Sequence, residues 1–117
     1  MWPLLLLLFI WIHYIGDFVL QNDSMALYKK SSMKWLAIHC LTYTSLFSIF
    51  FLMFPIIPTI QFIAVTGLSH FLIDFVTSKM SGYFWAKDKI HFFFEVIGFD
   101  QSVHITVFIL TASLFLI

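Results

Sequence analysis

Seven histidine and aspartate side chains interrupt otherwise apolar stretches of this chain: His13, Asp17, His39, His70, Asp74, Asp100 and His104. Six of them form pairs, His13/Asp17, His70/Asp74 and Asp100/His104, each spaced i,i+4, which sets both partners on one stripe of a helix about a turn apart. Neutral imidazoles are the commonest transition-metal ligands and carboxylates add hard oxygen donors, so the set points to a divalent metal, with zinc, manganese or iron as candidates. A divalent cation would also offset the cost of gathering three aspartates in a low-dielectric setting. This donor set exceeds one tetrahedral shell. Either some aspartates orient imidazoles, or two metals are bound, as in many phosphoryl and acyl hydrolases. Interhelical hydrogen bonding, worth about 0.6 kcal/mol on average within membranes, would account for one such pair but poorly for three in the same depth order.

The elements that carry these residues are membrane helices. Of 117 residues, 62% are hydrophobic, 21% aromatic and only 10% charged, with a mean hydropathy of +1.00, far outside the range of soluble domains. A spanning helix needs roughly 20 apolar residues. The apolar segments fall at about 2–20, 35–54, 59–77 and 99–117, giving one transmembrane domain over 1–117, an all-α up-down bundle of four helices. The N-terminal segment lacks a basic flank and a small-residue cleavage site, and reads as a retained span rather than a signal peptide. The phenylalanines read as lipid-facing bulk.

Residues 21–34 form a polar connection, Pro55-Ile56-Ile57-Pro58 a tight turn, and 78–98 an interfacial segment mixing lysines with aromatics, lying flat or folding over a site as a lid. All six lysines fall in or beside the two polar connections. By the positive-inside rule that face is cytoplasmic and both termini lie outside. The four helix ends bearing the His and Asp residues share this face. Helix direction sets His13, His70 and His104 deeper, with Asp17, Asp74 and Asp100 about 6 Å nearer the cytoplasm, at 1.5 Å rise per residue. His39 could join the histidine layer.

Gln21, Gln101 and Thr77, with Tyr43, are placed to bind substrate or an aspartate, whereas His91/Glu95 reads as a surface pair. With zero net charge and no basic tract nothing suggests a nucleic-acid partner, and a single cysteine, Cys40, excludes an internal disulfide. Ser69 and Ser102 adjoin the motifs without a partner that would activate them, which argues against covalent catalysis.

The strings His13-Tyr14-Ile15-Gly16-Asp17-Phe18-Val19-Leu20-Gln21, Ser69-His70-Phe71-Leu72-Ile73-Asp74 and Phe99-Asp100-Gln101-Ser102-Val103-His104 resemble the signature of an uncharacterised bacterial membrane family, domain of unknown function 3307. The resemblance covers nearly the whole chain, including Lys29 or Lys30 and His39, and implies a place in a bacterial inner membrane but no activity. The segment Ser69 to Thr77 is also similar to one in inner-membrane proteins assigned as metal-dependent hydrolases regulated with the SOS response, and that likeness favours hydrolysis.

The expectation is a metal-dependent hydrolase acting on an amphiphilic or lipid-like substrate at the cytoplasmic interface. His13, His39, His70 and His104 would bind metal with Asp17, Asp74 and Asp100, and a spare aspartate would act as general base. The alternatives are a proton or divalent-cation transporter, and a regulatory subunit using the site structurally. The outer helix halves lack ionisable residues, so transport would need a pore at a homo-oligomer axis.

Overall fold

The computed structural model describes residues 2–117. Helix α1, Trp2–Tyr14, continues as a π-helical turn, Ile15–Val19. A short helix α2, Asp23–Tyr28, precedes α3, Met33–Ser45, which tightens into a 3-10 segment, Leu46–Leu52. Helices α4, Ile56–Ala86, and α5, Ile90–Phe115, complete the bundle. Four of these helical stretches, Trp2–Val19, Met33–Leu52, Ile56–Ala86 and Ile90–Phe115, are long and apolar enough to cross a bilayer.

The breaks between helices have local causes. Asn22 caps α2 by accepting from the Met25 amide at 2.9 Å, and Ser32 caps α3 by accepting from Trp35. Pro55 and Pro58 stop the preceding segment yet suit the start of α4, where first-turn amides have no helical partner in any case. Asp88, at φ 57°, turns the chain between α4 and α5; aspartate tolerates this left-handed conformation better than most side chains.

The segment 78–98 departs from the connection expected of it. α4 runs on to Ala86 and α5 begins at Ile90, so a turn at Lys87–Lys89 is all that separates them. At 1.5 Å per residue a 31-residue helix is about 46 Å long, well beyond a hydrocarbon core of about 30 Å. The surplus turns carry Lys79, Tyr83 and Trp85, residues suited to the headgroup level.

Lipid is as apolar as leucine, so the bundle is held by close packing and internal polar contacts. Phe9, Phe47, Phe50, Phe62 and Phe108 are buried with Leu5 in one cluster, where Phe9 and Phe108 stack at 3.8 Å between ring centroids. These phenylalanines fill the half of the bundle away from the lysines instead of facing lipid. Large apolar side chains such as Leu4, Leu52, Leu68 and Leu114 cover the outside.

Candidate metal centre

The π-helical turn at Ile15–Val19 carries Gly16 against α3: a Cβ there would stand 2.8 Å from Tyr43 Cδ2 and 3.2 Å from Leu46 Cδ1. The close approach lets Asp17 reach across to His39. Around these two side chains the separate His and Asp layers, expected from helix direction, merge into one buried cluster.

His39 Nε2 lies 2.9 Å from Asp17 Oδ1, 3.1 Å from Asp74 Oδ2 and 3.1 Å from His70 Nε2. His70 Nε2 lies 3.5 Å from Asp17 Oδ1 and 3.4 Å from Asp74 Oδ2. All four residues are at most 4% exposed. Ligands about 2.0–2.1 Å from a tetrahedral ion stand roughly 3.3–3.4 Å from one another, and these five separations bracket that spacing. A neutral imidazole has one proton to give, whereas His39 Nε2 faces three acceptors at nearly equal distance. A cation between the four donor atoms meets all of them at once. The outer nitrogens, Nδ1 of His39 and of His70, are buried without a partner among the described residues, so each can carry the proton that leaves Nε2 free to ligate.

The remaining residues form a hydrogen-bonded surround. His13 Nδ1 pairs with the Tyr43 hydroxyl at 2.7 Å and its Nε2 with Gln101 Oε1 at 2.5 Å, so both ring nitrogens are occupied by side chains. The Gln101 amide donates to Asp100 Oδ2 at 2.8 Å and to Asp17 Oδ2 at 3.3 Å. Thr77 donates to Asp100 Oδ1 at 2.6 Å. His104 Nε2 sits 3.2 Å from Asp74 Oδ1 and 3.4 Å from Asp100 Oδ1. Asp17, Asp100 and His104 form a second group close enough to share an ion, in which both Asp100 oxygens are already held by Thr77 and Gln101. Tyr43 stacks on His70 at 3.8 Å and His70 on His104 at 4.4 Å, flooring the site with rings.

A cavity of ≈ 230 Å³ opens above the cluster toward the lysine-bearing connections, lined by Asp17, Gln21, Lys29, Asp74, Thr77 and Asp100 among others. Lys29, at the end of α2, donates to Asp74 Oδ2 at 3.1 Å. Burial alone would push its pKa down, but Asp74 and Asp17, with Asp100 adding, outweigh that and hold it above the ordinary lysine value. Every residue singled out in the sequence for the site therefore lies in or against it. His91 and Glu95 stay at the surface, 79% and 58% exposed. Ser78 and Ser81, also on the cavity wall, carry no mark in the sequence beyond their place among lysines and aromatics.

Four bilayer-length helices around a buried His/Asp cluster define a polytopic membrane protein whose polar core could hold a metal ion. The chain belongs to the family described as "Protein of unknown function (DUF3307)", whose model matches residues 4–117. No curated protein and no solved structure matches it.

Proposed function

We propose that the protein is a metal-dependent hydrolase of the bacterial cytoplasmic membrane, acting on an amphiphilic substrate that enters from the lysine-bearing end. The observation that carries this reading is the convergence of Asp17, His39, His70 and Asp74 at ligand spacing directly below an open polar cavity. A divalent ion held there would need to admit a water from the cavity beside the four protein donors, as zinc sites do when they expand to five ligands, and would then lower that water's pKa to about 7.

The protein's own groups supply the rest. Asp100 lines the cavity with both oxygens held, by Thr77 and Gln101, a placement suited to taking a proton from the attacking water. Lys29 compensates Asp74 and adds positive charge at the cavity. The phenylalanine cluster on the far side leaves the site approachable from one end, which favours hydrolysis over passage of an ion through the bundle. The lysine distribution supports a cytoplasmic site with both termini outside.

The test is metal analysis of protein purified without chelator, beside a His70→Ala/Asp74→Ala variant. About one equivalent of divalent metal in the native protein and little in the variant is expected. No stoichiometric metal at neutral pH would sink the proposal.

A further inference from the structure

A second cavity, of ≈ 250 Å³, adjoins the first, sharing Lys29, Ser78 and Ser81 with it and adding Lys30 and Trp85. Lys30 lies across Gly82, where a Cβ would stand 2.8 Å from its Cδ and 3.5 Å from its Nζ. The missing side chain makes the groove that the lysine occupies. Lys29 is committed to Asp74, whereas Lys30 has no carboxylate partner among the described residues. Ser78 is only 8% exposed, and its hydroxyl is buried without a hydrogen-bond partner among the described residues. A buried hydroxyl left unpaired costs on the order of 1–3 kcal/mol, which a ligand's acceptor atom would recover.

An unpaired ammonium and an unpaired hydroxyl on one cavity wall call for an anion with several acceptor oxygens. A lysine serves as a point charge for phosphate, whereas planar carboxylates are better met by the guanidinium fork, and this chain has no arginine. Trp85, 57% exposed, and Leu27, 59% exposed, give the cavity an apolar rim, as expected where a headgroup meets acyl chains. The geometry points to a phosphate-binding subsite at Lys30 and Ser78 that holds the headgroup of a phosphorylated membrane amphiphile. It deepens the hydrolase reading by naming the substrate class, and it rests on that reading only for what happens to the bound phosphate next.

The test uses native, metal-loaded protein in nanodiscs. Retention of phosphatidate, supplied as its non-hydrolysable phosphonate analogue, is measured against phosphatidylcholine by native mass spectrometry, and inorganic phosphate binding by equilibrium dialysis. Selective phosphatidate retention is expected, weakened roughly tenfold in Lys30→Gln and in Ser78→Ala, as for loss of a hydrogen bond to a charged group. Lys34→Gln, an exposed lysine lying against Trp35 with Nζ 5.6 Å from the ring centre, should bind as wild type, which separates the subsite from general basic charge. Equal loss in Lys34→Gln, or no preference for phosphatidate, overturns the proposal. Inorganic phosphate binding that phosphatidate fails to displace overturns the lipid as its source. Metal content is read in the same samples. Metal without phosphate binding sinks the subsite alone, and phosphate binding without metal sinks the hydrolase reading alone.

Discussion

His39 and His70, carried on different helices, bring their Nε2 atoms to 3.1 Å with a carboxylate oxygen on either side. Two imidazole nitrogens this close share either a proton, as an N–H···N hydrogen bond, or a cation. Four protein donors this close predict an ion of low coordination number, so cobalt-loaded protein should absorb in the visible well above octahedral Co²⁺, and His39→Ala should abolish the band. A weak spectrum of octahedral type would contradict the four-residue shell.

Gln101 ties His13, Asp17 and Asp100 together through one amide. Removing such orienting partners typically costs 10–100-fold in metal affinity. Gln101→Leu, similar in size, should therefore fold, retain its helical circular dichroism and bind metal about 10–100-fold more weakly. Unchanged affinity would mean that Asp17 is placed by helix packing alone.

Lys29 makes stability depend on pH at the alkaline end. A lysine whose pKa is raised in the folded state contributes stability in full below its ordinary value, 10.5, and loses it as pH rises through the raised value. In chelator-treated protein, the difference in Tm between wild type and Lys29→Gln should be constant from pH 7 to about pH 10 and shrink above pH 10.5. A difference that vanishes near neutrality would be inconsistent with the Lys29–Asp74 pair.

Gly16 permits the contact on which the tyrosine floor depends. The atom that an added Cβ meets is a ring carbon of Tyr43, fully buried and stacked on His70. Gly16→Ala should destabilise by about 1–3 kcal/mol, the usual cost of overpacking, and lower metal affinity with it. Thermal unfolding with and without added zinc reads both effects; a neutral substitution would show that the helices have slack there.

The phenylalanine cluster predicts a one-sided site. Protein reconstituted in liposomes should move neither Zn²⁺ nor Mn²⁺ inward faster than empty vesicles, as followed by an entrapped metal dye. Uptake that depends on His70 would instead favour transport.

Helix number, the polar end of the bundle and the pairing of His70 with Asp74 were all legible in sequence, because hydropathy and i,i+4 spacing are local properties. The length of α4 was not. Once a helix leaves the hydrocarbon it takes up lysines and interfacial aromatics, as at Lys79 and Trp85, so the apolar signal stops before the helix does. The π-helical turn was equally hidden. There Asp17 enters the four-residue cluster while His13, its Nε2 still 3.7 Å from Asp17 Oδ2, turns its ring nitrogens to Tyr43 and Gln101. His39 lacked a sequence partner because its partners sit on other helices. The buried phenylalanines escaped notice because a core residue and a lipid-facing residue have the same composition.

Asp17, His39 and the His70/Asp74 pair are contributed by the first, second and third spans. Each span can insert as a separate helix before the helices associate, and until then each polar side chain is stranded against lipid at a cost of kilocalories. Metal supply during biogenesis would then govern whether the newly inserted helices lock together or stay apart. Under metal starvation the expected consequence is fewer surviving molecules, with membrane proteolysis clearing chains whose spans never closed.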